Sequence, residues 1–333
     1  MKKKVTIKDL ARMADVTAAT VSMVLNGKTS ISEATRKKVL ALAEMHQYVP
    51  NISARGLVKA GTNSIGIIMP DLVEPFNAAV LRAISTSVMP TGYRLLLYDV
   101  FATANWEETL YHRISSEGRV DGIIHKALEM TECDLKRLET LQLPMVVFEN
   151  ELSWVDCVAV DNEEGAYLAT QYLLSKGHKQ IGLIGCDMAS QVIAARVTGA
   201  KRALREADLQ FDVQHYFSTK SFTANEGMAA ADYFHGLSNK PTALFVIAGD
   251  YVACGVLACL RKLDYEIPRD FAVIGFDGLE LSSFLYPQLT TVQQPIDKMA
   301  DAAIALLLQR IQERDKPTEI RKFKTKMIIR ESA

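Results

Sequence analysis

The sequence predicts an all-α helix-turn-helix headpiece followed by a two-lobed α/β domain built on two doubly wound parallel sheets. Three observations carry that expectation. Short helical apolar patterns fill the first 50 residues, β-rich runs alternate with helical ones from residue 64 onward, and the charge changes sign between the two regions.

In the headpiece, Ile7, Leu10 and Ala11 share one helical face, Val21, Val24 and Leu25 mark a second helix, and Val39, Leu42 and Ala43 mark a third over residues 32–45. Only Ala14, Asp15 and Val16 separate the first two helices, as a tight helix-turn-helix requires. Thr17 is placed to cap the second helix, its hydroxyl meeting an otherwise unpaired backbone N–H. Ala18, Ala19, Thr20, Ser22 and Met23 then lie near the start of that helix, the end that enters the major groove in this motif. Hydroxyls at Thr20 and Ser22 suit phosphate contacts, which fix register without reading sequence.

Residues 1–60 hold eleven basic and four acidic residues, about +7, whereas the remainder holds 27 basic and 35 acidic residues, about −8. A basic module on an acidic body is the charge layout of a polyanion-binding head. Pro50 ends the helical unit, and residues 51–61 read as a linker or conditional helix.

Eight β-rich runs follow, at 65–69, 94–100, 122–125, 145–149, 158–160, 180–185, 244–248 and 272–276, with helical patterns that include 166–174, 197–206, 251–263 and 298–312. Alternation of this kind implies parallel sheets covered by helices, and so many strands over some 270 residues point to two lobes. The expected division is 1–50, 51–61 and 62–333, with a first lobe of about 62–160 plus 292–320 and a second of about 161–291 plus 321–333. Ligands of such folds sit at strand carboxyl ends, here in the cleft between lobes.

Several function classes are disfavoured. No apolar run approaches the roughly 20 residues of a membrane helix, and Lys8, Asp9 and Arg12 interrupt any export signal. The five cysteines are scattered, as free thiols of a reducing compartment would be, and the six histidines lack ligand spacing, so neither metal nor cofactor is expected. Dinucleotide and phosphate-loop glycine motifs are missing, as are the nucleophile elbow and the zinc helix, which argues against an enzyme. A solute-binding protein of a transport system shares the two-lobed architecture but would need export and no basic headpiece.

Thr6-Ile7-Lys8-Asp9-Leu10-Ala11, Thr20-Val21-Ser22, Val24-Leu25-Asn26 and Tyr48-Val49-Pro50-Asn51 resemble the headpiece of the lactose-repressor/galactose-repressor (LacI type) family of bacterial transcription regulators. The resemblance continues through Val120-Asp121-Gly122, Gly275-Phe276-Asp277 and the run from Leu289 to Pro295. It implies a periplasmic-binding-protein-like body, a cytoplasmic homodimer on palindromic double-stranded DNA, and an operator affinity set by a small-molecule effector such as a sugar or nucleobase-like metabolite. No leucine heptad follows Ala333, so a dimer is expected rather than a tetramer.

By position, the resemblance implies that Thr6, Thr17, Thr20, Ser22, Asn26 and Tyr48 contact DNA mainly through phosphate, and that Ala18, Ala19 and Met23 face base edges. Asn51, Ala54, Arg55 and Leu57 would belong to a hinge helix, Leu57 being either a minor-groove wedge or ordinary core packing. Phe76, Asp161, Arg196, Phe222, Asp250 and Asp277 would line the effector cleft. The alternatives are an interlobe salt bridge for Arg196 and Asp250 and core packing for Phe222. The chain departs from the family pattern at Asp15, where a turn glycine is usual, at Met23, where Arg is usual, and at Asn77, Gly249 and Gly278 around the cleft.

Overall fold

The computed structural model describes residues 5–25, 31–46, 48, 61–100, 106–126, 143–186 and 190–333, with backbone alone at 99, 106–109, 112 and 115. Two compact units divide at residue 61.

The first unit holds α1 (Ile7–Ala14), α2 (Ala18–Leu25) and α3 (Glu33–Met45). Thr6 and Asp9 form a reciprocal capping box at α1: the Asp9 N–H donates to Thr6 Oγ1 at 3.3 Å, and the Thr6 N–H donates to Asp9 Oδ2 at 3.0 Å. Thr17 caps α2 through Oγ1, which accepts from the Thr20 N–H at 3.1 Å. Asp15 ends α1 in the left-handed conformation, φ 60° and ψ 48°. The turn therefore survives without glycine because Asp is among the few side chains that tolerate this region. Leu10, Val21, Val24 and Val39 meet in a small core, with Tyr48 and Ala18 packed on its edge.

The second unit contains two six-stranded sheets. The first runs β2 (Arg94–Asp99), β1 (Ser64–Met69), β3 (Gly122–His125), β4 (Met145–Phe148), β5 (Asp156–Val160) and β11 (Ile320–Phe323), all parallel. The second runs β7 (Tyr216–Ser218), β6 (Ile181–Gly185), β8 (Ala243–Val246), β9 (Ala272–Asp277), β10 (Thr290–Gln293) and β12 (Lys326–Ile328). It is parallel except between β10 and β12.

Strand periodicity explains the layering. Ile65, Ile67 and Met69 of β1 face α4 (Pro75–Val88) and α10 (Ile296–Gln312), whereas Ile68 faces α5 (Trp106–Glu117). In the second lobe, α6 (Asn162–Ser175) and α7 (Gln191–Glu206) cover one face, and α8 (Ala224–Gly236) and α9 (Asp250–Lys262) cover the other. The α8–α9 pair is glycine-bridged: a Cβ on Gly255 would overlap the Ala224 carbonyl, and one on Gly227 would overlap that of Val252.

The chain crosses between lobes after β5, after β10 and between β11 and β12. The last two crossings correct the expected boundaries. Val292 and Gln293 belong to the second sheet, and residues 321–323, which continue the strand from Ile320, to the first. Tertiary pairing decides both, since β10 must reach β9 and the charged strand β11 binds only an edge.

Candidate functional site

Strand carboxyl ends of both sheets converge on one cleft of about 840 Å³. On the first wall Lys126 follows β3 and Glu149 follows β4, adjacent strands that bring them together although they are distant in sequence. Lys126 Nζ lies 2.7 Å from Glu149 Oε2, both side chains are buried, and the ammonium sits 5.2 Å from the centroid of the Phe76 ring. Asn77 fixes the adjoining turn: its Nδ2 donates to the Pro70 carbonyl at 2.7 Å and the Asp71 carbonyl at 3.0 Å. Glu74 accepts from the Phe76 and Asn77 N–H groups, and burial still raises its pKa above the ordinary carboxylate value.

The opposite wall is organised by Arg196. Nε donates to Asn162 Oδ1 at 2.8 Å, Nη1 donates to the Ile247 carbonyl at 2.7 Å, and the guanidinium lies 3.6 Å from the Phe276 ring centroid. Nη2 is 3.8 Å from Asp277 Oδ1, too far for a hydrogen bond but close enough to balance charge. Burial raises the pKa of Asp277, while Arg196 and a hydrogen bond from Gln294 oppose the rise. Gly249, at φ 118°, has no room for a side chain, because a Cβ there would come 2.5 Å from Asp277 Oδ2.

Of the expected effector residues, Phe76, Arg196, Phe222 and Asp277 line this cleft, and Phe222 also packs on the second-lobe cores. Asp161 and Asp250 do not line it, which corrects the expectation. Asp161 caps α6, accepting from the Glu164 N–H at 3.1 Å. Asp250 is fully buried below the wall, where it accepts from the Leu279 N–H at 2.7 Å and the Thr291 hydroxyl at 2.6 Å. Asn77 lines the cleft where the sequence reading put a departure from the family pattern, whereas Lys126, Glu149 and Tyr251 are cleft residues that it missed. Lys126 directly follows a recognised strand, so the strand-end rule already pointed to it.

Burial pushes the Asp250 carboxyl up to about 7. A folded-state pKa above the unfolded value of about 4 means that stability falls as pH rises between those values. Asp250→Asn should therefore flatten the decline in urea-unfolding free energy between pH 5 and pH 7.5. Parallel profiles for parent and variant would show that the site does not take up a proton in this range.

In the headpiece, Thr17, Ala19, Thr20, Ser22 and Met23 lie at least partly exposed along α2, and Ala18 packs on the core. Asn26, Asn51, Ala54, Arg55 and Leu57 lie outside the described residues. Among the described residues there is no cluster of three or more His, Cys, Asp or Glu side chains that could hold a metal ion, and no helix long and apolar enough to cross a membrane.

Residues 6–51 match the profile of bacterial regulatory proteins of the lacI family, and residues 170–333 match that of a periplasmic binding protein-like domain. The HTH-type transcriptional repressor PurR of Vibrio atlanticus (strain LGP32) is 33% identical over 313 residues, 93% of either chain. The chain belongs to the lacI family of bacterial regulatory proteins. It is a DNA-binding transcription regulator with an effector-binding domain. Two solved structures share its architecture. The transcriptional regulator CelR in complex with cellobiose has a TM-score of 0.76 and 26% identity, covering 99% of this chain and 100% of that one. The lac repressor dimer bound to operator and the anti-inducer ONPF has a TM-score of 0.88 and 24% identity, covering 99% of both. As a lacI-family member the chain carries a headpiece that a transport binding protein has no use for.

Proposed function

We propose that the protein is a cytoplasmic, homodimeric repressor rather than an enzyme, and that a small polar ring compound in the cleft sets its operator affinity. The supporting observation is the paired-charge cleft: Lys126 with Glu149 on one wall and Arg196 with Asp277 on the other. Each pair offers an acceptor beside a donor. A hydroxyl, or a ring nitrogen with its neighbour, both donates and accepts and so matches each pair. Phe76 and Phe222 supply apolar surface for a ring face. The CelR structure, which holds cellobiose, favours a polyhydroxylated ring of this kind.

On the DNA side, Thr17, Thr20, Ser22 and Tyr48 serve as phosphate contacts and Ala19 and Met23 as base contacts, with two headpieces on a palindrome. Asn26 and the 51–57 segment complete the contact set, and Thr6 acts chiefly by capping α1.

The test uses the full-length protein and an operator selected from random duplexes. Hypoxanthine, guanine, ribose and cellobiose serve as probes in thermal shift and fluorescence anisotropy. One of them at a large excess over its dissociation constant should raise Tm and change operator affinity by roughly 5–150-fold. Operator affinity should also fall steeply with salt. Four silent probes together with a salt-independent affinity would remove the proposal.

A further inference from the structure

α2 (Ala18–Leu25) contains Ala, Thr, Val, Ser, Met and Leu only, so it carries no acidic, basic, amide or imidazole side chain. The helix therefore has no group able to make the bidentate hydrogen bonds by which guanine and adenine are read in the major groove. The Thr20 hydroxyl is partly committed: it lies 2.9 Å from Oγ1 of the cap residue Thr17, which also accepts from the Thr20 N–H. Val21 and Val24 are buried in the headpiece core, which Ala18 and Leu25 join from the edge. Ala19 and Met23 remain. They are four residues apart, hence on one helical face, and neither belongs to that core although both are apolar. The unit that presents this face is strongly basic, so the partner surface is anionic overall yet apolar where it meets Ala19 and Met23. Within a DNA major groove, the base-edge group of that description is the thymine C5 methyl.

We infer that α2 reads each operator half-site through thymine methyls packed against Ala19 and Met23, with no guanine contact from this helix. The inference rests on the proposed placement of α2 in the major groove. Specificity at the remaining positions then falls to groups outside α2 and to the deformability of the duplex.

The experiment uses full-length protein at fixed ionic strength. An operator is first selected from random duplexes. Each thymine of a half-site is then replaced by deoxyuridine, which keeps every hydrogen bond and removes only the methyl. Loss of one buried methyl should weaken binding about fourfold, and the same change in both half-sites about fifteenfold. Replacing such a T·A pair by 5-methylcytosine·G, which keeps the methyl, should cost less than replacing it by unmethylated C·G. Met23→Ala, with its helical circular dichroism unchanged, should bind the thymine and uracil duplexes alike at one position. The DNA substitutions need no protein variant, so the outcome does not depend on how Met23→Ala folds. Uracil that is neutral at every position would overturn the inference. So would a half-site guanine whose 7-deaza analogue costs tenfold in the parent but not in Thr20→Val or Ser22→Ala. If no sequence is enriched at all, the placement of α2 against DNA fails, and the methyl reading fails with it.

Discussion

Arg196→Met is expected to abolish the effector response and to destabilise the body by roughly 3–5 kcal/mol, the range for removing one partner of a buried charge pair. Methionine fills similar volume but leaves Asn162 Oδ1 and the Ile247 carbonyl without their donor and Asp277 without its balancing charge. Unpaired buried acceptors of this kind cost about 1–3 kcal/mol each. The loss should depend on pH in a defined direction. Burial already raises the Asp277 pKa, and the Arg196 charge is what restrains it. Without that charge the carboxyl holds its proton to higher pH, so the variant should lie nearer the parent at pH 5 than at pH 8. Adding Asp277→Asn to Arg196→Met should recover part of the stability at pH 8 and none of the effector response. Urea unfolding of the full chain at the two pH values, with thermal shift for the effector, measures all of this. A variant within 1 kcal/mol of the parent at pH 8 would falsify the view of Arg196 as the hub of its wall.

Gly255→Ala should be nearly as damaging, at about 3 kcal/mol or more, the upper end of overpacking penalties. The added methyl would overlap the backbone carbonyl of Ala224 rather than a movable side chain, so relief requires α8 and α9 to separate. Gly236→Ala is the matched control. It closes the same helix pair, no atom lies within 4 Å of its Cβ position, and its φ is not left-handed. That variant should be neutral or slightly stabilising, by up to about 1 kcal/mol, since alanine loses less backbone freedom than glycine. Thermal melts of the pair separate the two outcomes, and equal melting temperatures would mean that the helix contact yields easily.

The parts of the molecule legible in the sequence are those fixed by local chemistry. The capping role of Thr17 depends on a few neighbouring residues and appears as read, and the turn at Asp15 forms in the left-handed conformation although glycine is replaced there. The strand at residues 65–69 shows its apolar run because helices cover both of its faces. By contrast, β11 is Ile-Arg-Lys-Phe with alternating exposure, and β12 has three residues. Neither carries an apolar run, and each exists only because a sheet edge was available. The same limit governed the cleft. Arg196 was recognisable by its surroundings in sequence, but Lys126 and Glu149 become a pair only once β3 lies beside β4. Asp250 sits at a strand end, as a ligand residue would, and nothing in the sequence says that its oxygens are taken by Leu279 and Thr291.

The interleaving of the two lobes has a consequence during synthesis. Ile65, Ile67, Val146 and Val158 are sealed partly by Met299, Ala303 and Leu307 of α10, yet a ribosome makes the whole second sheet up to β10 before it reaches that helix. At bacterial translation speeds the nascent first lobe waits on the order of ten seconds with part of its interior uncovered. Holdase chaperones therefore have a defined stretch of apolar surface to protect, and the second lobe closes against a neighbour that is not yet whole.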